Sequence, residues 1–317
     1  MVFVMSYQPI ETNKNRLILV KETLFSGQSF MWNESDHECG IYSSVIDGSP
    51  VLIKQDNPYS LSVSVEKNEL FGIPVQSFFE HYFSLDIATN SLFDDEFAAR
   101  YPDLAFRLLK LQGLRVLRQD PYETLVTFMC AQGIGMSIIR RQVNMLCRYF
   151  GNEVRVADGG RDTPLYSFPA PSVLADADPA LLRRCCNNNS MRAGNIGEAS
   201  RLLALGRLDL QALSDPSLPL SEIRTELTAL KGIGFKIADC IALFGLGRFD
   251  AFPIDTHVEQ FLSSWFSIGA HQKGLSQKRY LHLQEKAVEL LGESLSGYAG
   301  HHLFHCWRTT EKNMKAF

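Results

Sequence analysis

The chain changes period near Asp94, and that change limits the folds open to it. Residues 16–75 hold short β-branched runs: Arg16–Lys21, Gly40–Ile46, Val51–Lys54 and Leu61–Val65. Gly48-Ser49-Pro50 and Asp56-Asn57-Pro58 punctuate them. Such runs between turn residues predict an antiparallel sheet. From Asp94 the apolar residues recur every three or four positions. Glu96–Leu111 reads as helix, and Pro121–Phe150 as one or two long helices ending at Gly151. Residues 152–170 read as a loop. Helical segments follow near 178–187, 193–205, 221–230, 236–246, 255–267, 277–291 and 297–315. Strands first and helices after predict an α+β protein, with an N-terminal antiparallel β-domain over 1–105 and a helical domain over 106–317.

A chain of 317 residues is long enough for about two domains and for a core that needs no disulfides. The seven cysteines form no CxxC pair, which argues against a zinc ribbon or a cysteine-ligated cluster. Their irregular spacing predicts a reducing, intracellular compartment: the cytoplasm in a prokaryote, with the nucleus open in a eukaryote. The first fifteen residues show no signal-peptide pattern, and no apolar run is long enough to span a membrane. Net charge is −4, unevenly spread. Residues 1–100 carry 6 basic and 14 acidic side chains, and the remainder carries 25 and 21. A polyanion is therefore expected to meet the second half.

The stretch Leu230-Lys231-Gly232-Ile233-Gly234-Phe235-Lys236-Ile237-Ala238-Asp239-Cys240 runs one helix into another across Gly-Ile-Gly. The glycines permit left-handed backbone angles, and Ile233 can anchor the turn in the core. The second helix then offers unpaired N–H groups and the positive end of its dipole, which suits a phosphate. Lys236 opposes that dipole. It is either a solvated surface lysine or an amine nucleophile, its pKa depressed by dipole and burial. Nineteen residues on, Asp255 opens Asp255-Thr256-His257. It reads as an N-cap, and its carboxylate could also stabilise positive charge on a sugar. His257 could hydrogen-bond phosphate or substrate, or simply sit at the surface.

GIGFKIADC followed by PIDTH resembles the helix-hairpin-helix DNA glycosylase superfamily, and within it the 8-oxoguanine DNA glycosylase (N-glycosylase/DNA lyase) branch. Three further stretches carry the resemblance. They are Phe25-Ser26-Gly27-Gln28-Ser29-Phe30-Met31-Trp32, Arg118-Gln119-Asp120-Pro121, and Gly297-Tyr298-Ala299-Gly300 through Leu303-Phe304. It spans roughly residues 16–310. It implies a β-domain packed on all-helical parts, and excision of an oxidised purine by base flipping from duplex DNA. Lys236 would be the Schiff-base nucleophile and Asp255 the catalytic carboxylate. Gly27 would offer its carbonyl to N7–H of 8-oxoguanine, a donor that guanine lacks. Cys240 and Phe304 would sandwich the base, although Phe304 also reads as an ordinary core aromatic. Gly232, Gly234, Ile237 and His257 would meet the DNA backbone. No cofactor is implied beyond a monovalent cation on the carbonyls of Thr228, Leu230 and Ile233.

The chain departs from the family pattern at three places. Cys130-Ala131-Gln132-Gly133-Ile134-Gly135-Met136 stands where eukaryotic members have an asparagine run. Met191, beside a matching Arg192, replaces the aromatic wedge and can still fill a vacated stack. Gly300, followed by His301 and His302, stands where the family has a glutamine for the base's Watson–Crick edge. The expectation is a monomeric, bifunctional glycosylase/AP lyase that forms a Lys236 imine and cleaves by β-elimination. The rivals are a monofunctional alkylpurine glycosylase, which would need only the aspartate, and a catalytically idle DNA-binding module.

Overall fold

The computed structural model describes residues 6–11, 16–36, 38–158, 161–269 and 274–312. Residues 1–5 and 313–317, at the two ends of the sequence reading, lie outside these.

Five strands form one antiparallel sheet: β1 (Gln8–Glu11), β2 (Asn33–Glu34), β3 (Ile41–Ile46), β4 (Ser49–Asn57) and β5 (Ser60–Ser64), in the order β1-β5-β4-β3-β2. Alternation divides each strand between two faces. Tyr42, Val51, Ile53, Leu61 and Val63 pack on one side with Phe79 and Phe83 from helix α2 (Val75–Tyr82) and the residue after it. Ile41, Val45 and Leu52 face the other way. A small pair, β6 (Glu69–Leu70) and β7 (Ile73–Pro74), leads into α2.

Two readings of the sequence are corrected. Arg16–Lys21 is not a strand: residues 16–19 are irregular and α1 spans Val20–Leu24. Ile18 and Val20 are buried, but their backbone groups find isolated partners instead of a ladder. Ile18 N donates to Pro58 O at 2.8 Å, and Val20 N to the Gln55 side chain at 3.0 Å. Nor is 152–170 only a loop. β8 (Glu153–Asp158) and β9 (Arg161–Tyr166) form a hairpin whose Val156 and Leu165 cover the outer face of the sheet at Ile41, Val45 and Leu52. The short Val154/Val156 alternation before Asp-Gly-Gly is a hairpin signal whose apolar face makes sense only once the sheet is there to cover.

The rest is helical. Pro102 splits the reading of 96–111 into α3 (Asp95–Arg100) and α4 (Pro102–Leu109), since proline starts a helix but cannot continue one. Residues 121–150 form α5 (Pro121–Cys130) and α6 (Met136–Phe150). Next come α7 (Pro171–Ala175), α8 (Pro179–Cys185), α9 (Ser190–Ala204), α10 (Leu220–Thr228), α11 (Phe235–Phe244), α12 (Thr256–Phe266), α13 (Gln277–Leu291) and α14 (Ser296–Thr310). One core gathers α5, α6, α9, α10 and α11, and a second gathers α3, α4, α12, α13 and α14. Among the described residues no helix is long and apolar enough to cross a membrane.

Candidate active site

A cavity of about 1240 Å³ opens where the two helical cores and the N-terminal loop meet. Its walls include Gly27, Phe128, Gln132, Met136, Lys236, Cys240, Asp255, His257, Gly300, His301, Phe304 and Arg308. The sequence-predicted residues for the chemistry and the base therefore converge on one space.

The hairpin between α10 and α11 sets one wall. Leu230 and Ile233 are buried, so the turn is pinned as expected. Gly232 has φ +84°, and a Cβ there would lie 2.4 Å from Asn195 Nδ2. The left-handed backbone favours glycine at that position, while the Asn195 amide could move aside for a Cβ. Gly234, the N-cap of α11, has φ −99°, so only one of the two glycines uses the left-handed region. A Cβ on Gly234 would meet nothing within 4 Å. No side chain caps α11, leaving the N–H groups of Phe235, Lys236 and Ile237 without helical partners. The Ile237 side chain is buried, so any contact it makes with a backbone phosphate is through its N–H.

Lys236 is only partly exposed, with Nζ 5.5 Å from the centre of the Phe128 ring. Cys240 follows one turn later on the same face and lies near enough to the amine to act on its charge. Burial opposes the ammonium charge, but Cys240 and Asp255 outweigh it, and the Lys236 pKa is raised. The expectation of a depressed pKa is corrected: desolvation is outweighed by Cys240 and the Asp255 carboxylate. Burial in turn pushes the Cys240 thiol up to about 11. Asp255 is the N-cap of α12, and its Oδ1 accepts the N–H of His257 at 2.9 Å and of Val258 at 3.0 Å. It is a cap and a cavity wall at once.

A buried network fixes Asp255 relative to Lys236. Asp239, on α11 beside Cys240, is fully buried and pairs with Arg224 Nε at 2.7 Å. Its Oδ2 accepts the Tyr280 hydroxyl at 2.6 Å and Gln284 Nε2 at 2.6 Å. The Tyr280 oxygen accepts Ile254 N at 3.2 Å, and Gln284 also donates to Phe252 O at 2.6 Å. The segment carrying Asp255 is thus tied to the helix carrying Lys236 through α13. A lone aspartate in the apolar run of α11 was the sequence signal for this, and sequence reasoning passed over it.

The Gly27 loop is locked as firmly. Gly27 has φ +94° with Met136 against it. Gln28, fully buried, donates to Thr23 O and Arg115 O, both at 2.8 Å, and accepts Leu117 N at 2.8 Å. Opposite, α14 brings Gly300, where a Cβ would lie 2.3 Å from the Phe252 ring. Gly300 is a packing residue as well as a wall. His301, not His302, lines the cavity: its Nε2 lies 2.8 Å from Ser26 Oγ and its ring stacks near Phe304. Burial and the neighbouring His305, His302 and Arg308 hold the His301 pKa well below its usual value. His302 turns to the Tyr298 carbonyl at 3.1 Å. Phe304 is half-buried, faces His257, and carries the Arg308 guanidinium 5.4 Å from its centre. Phe128 and Arg308 were missed. Arg308 stands one turn after Phe304, the spacing that could have found it.

Met191 is 77 % exposed on the first turn of α9. Arg192 beside it is buried, and its guanidinium donates to Gln132 O at 2.8 Å and Gln142 Oε1 at 3.3 Å. The structure therefore brings the wedge candidate to the surface and keeps the arginine inside.

A lysine-bearing helical hairpin, an aspartate cap facing it across a cavity and a β-domain closing the cavity define a helix-hairpin-helix DNA glycosylase. The family profile described as "8-oxoguanine DNA glycosylase, N-terminal domain" matches residues 10–125. The N-glycosylase/DNA lyase of Saccharomyces cerevisiae is 31% identical over 298 residues, covering 87% of this chain and 76% of that protein. The N-glycosylase/DNA lyase OGG1 of Arabidopsis thaliana is 27% identical over 295 residues, covering 88% and 73%. The solved structure of MBOgg1 with a low-affinity DNA ligand superposes with a TM-score of 0.78 at 27% identity, covering 97% of this chain and all of that one. The chain belongs to the N-glycosylase/DNA lyase family, the 8-oxoguanine branch of the helix-hairpin-helix DNA glycosylases.

Proposed function

We propose that the cavity receives 8-oxoguanine flipped from duplex DNA, and that Lys236 and Asp255 carry out base excision and strand cleavage there. The protein is a DNA N-glycosylase with AP lyase activity. The observation that carries the division of labour is the meeting of Lys236, Cys240, Asp255, Gly27 and Phe304 in one cavity. Lys236 loses its proton, and its amine attacks C1′ as the N-glycosidic bond breaks and the base leaves with the bonding electrons and then a proton. The sugar ring opens to an imine on Nζ. Loss of a proton from C2′ then expels the 3′ phosphate. The Asp255 carboxylate offsets positive charge on the sugar as the base departs. Cys240 and Phe304 hold the base between them, and the Gly27 carbonyl accepts N7–H of the oxidised purine. Met191 fills the gap in the stack. The free N–H groups at the start of α11, with Gly234 leaving room, take a backbone phosphate. His257 lies beside Phe304 at the mouth of the site, where it can reach the same strand. The carbonyls of Thr228, Leu230 and Ile233 are the proposed donors for a monovalent cation. One enzyme on one lesion works as a monomer.

The test is borohydride trapping on a duplex with 8-oxoguanine opposite cytosine, on an abasic duplex and on an alkylated duplex. Wild type is expected to give an adduct with the first two. Lys236→Gln is expected to lose both the adduct and strand cleavage while still binding the duplex. An adduct that survives this substitution would assign the nucleophile elsewhere. Alkali-labile sites in the alkylated duplex alone, without adduct, would make Lys236 a bystander.

A further inference from the structure

A second cavity, of about 300 Å³, lies outside the base site among Arg141, Gln142, Arg184, Asn187 and Asn188. Arg141 and Gln142 belong to α6, Arg184 to α8, and the asparagines to the turn leading into α9. No carboxylate lines it. Gln142 is 1 % exposed, and its Nε2 is buried without a hydrogen-bond partner, because Oε1 is the atom that faces Arg192. A buried amide donor without an acceptor is unfavourable, and this one belongs to a residue of the cavity wall. Arg141 Nη2 donates to Asn187 Oδ1 at 2.9 Å, which occupies the asparagine's acceptor and leaves its NH₂. The cavity is therefore lined by two guanidinium groups and the Asn187 amide, the chemistry that binds a phosphate oxyanion.

Its place relative to the base cavity says which phosphate. Arg192 bonds Gln142 through one terminal nitrogen and the Gln132 carbonyl through the other, and Gln132 lines the base cavity. Arg192 thus stands between the two cavities, and its neighbour Met191 projects into solvent. A side chain filling a vacated stack has the damaged strand on one side and the complementary strand on the other. The base cavity takes the damaged strand.

We propose that the second cavity holds a backbone phosphate of the strand opposite the lesion, which rests on the reading of the protein as a base-flipping glycosylase. Through Gln142, Arg192 and Gln132 that contact braces the wall of the base cavity from the complementary side.

The experiment titrates the full chain against a duplex with 8-oxoguanine opposite cytosine at several salt concentrations, for wild type, Arg184→Gln and Arg141→Gln. Each variant is expected to bind several-fold more weakly at low salt, with the log–log salt slope reduced by about 0.9 for one lost phosphate contact. Single methylphosphonates are then placed along each strand. One position in the undamaged strand is expected to weaken wild type and to leave Arg184→Gln indifferent. Unchanged slopes in both variants, or an effect that Arg184→Gln abolishes at a position in the damaged strand instead, overturn the proposal. So does inorganic phosphate that binds in an Arg184-dependent way while no methylphosphonate position loses its effect in Arg184→Gln. Wild-type borohydride adduct on the same duplex separates the two failures: adduct with unchanged slopes removes only the phosphate site, whereas no adduct removes the reading beneath it too.

Discussion

Lys236 rests as an ammonium, because its pKa is held above the usual 10.5 by Cys240 and Asp255 despite burial. The nucleophile is the free amine, whose fraction grows about tenfold per pH unit anywhere below the pKa. Imine trapping on an abasic duplex is therefore expected to speed up about tenfold per unit between pH 6 and pH 8, without a plateau. Asp255→Asn removes the carboxylate charge that helps raise the pKa, so its profile is expected to shift towards lower pH even as base release slows. A flat profile in wild type would mean that DNA binding itself strips the proton. The identity of this lysine was legible from sequence, since a cation at the start of a helix is out of place. Its protonation state was not, because that depends on which groups the fold brings near it.

Between elements, the spacing of α11 and the loop before α12 rests on Asp239, Tyr280 and Gln284. Tyr280→Phe removes the acceptor for Ile254 N and one donor to Asp239, at a cost of about 1–3 kcal/mol for the buried groups left unpaired. The expected signature is a drop in single-turnover base excision of at least tenfold with little change in duplex affinity, because a small displacement of Asp255 weakens charge stabilisation only in the transition state. Equal losses in affinity and rate would make Tyr280 a general packing residue. The helices themselves could be read from period and caps, as at Asp120, Asp178 and Asp255, each of which caps the helix that follows it. The strut could not, since α13 is remote in sequence from both parts that it joins.

At the scale of the molecule, the N-terminal sheet is bound to the helical body through the loop that presents Gly27. Gln28 reaches Arg115 and Leu117, and Gln119 Nε2 donates to Gln28 O at 2.7 Å. Arg115 is fully buried, its Nε bonded to Leu17 O and its Nη1 to Ile87 O, both at 2.8 Å. Gln28→Ala leaves several of these buried groups unpaired and is expected to destabilise the fold by about 3 kcal/mol. By loosening Gly27 it should also erode the preference for 8-oxoguanine over guanine. Chemical denaturation and paired excision rates check both. An unaltered midpoint with unaltered preference would show that the loop holds itself.

The sequence by itself determined that strands precede helices, the hairpin with its buried Ile233, and the out-of-place Lys236 with the Asp255 cap. These follow from short-range periodicity, turn chemistry and a few unusual placements, whereas Gly27, Cys240, Gly300 and Phe304 were reached through the family resemblance. Tertiary structure decided what depends on distant partners. The irregular run at residues 16–19 bonds to Pro58 and Gly113 instead of to a neighbouring strand. The β8–β9 hairpin exists as a cover for a sheet face formed a hundred residues earlier. Arg192 matched a family position yet lies inside, because its guanidinium is satisfied by Gln132 and Gln142. Hydrogen-bond satisfaction and desolvation are settled only when segments far apart in the chain are packed together, and no local pattern encodes that outcome.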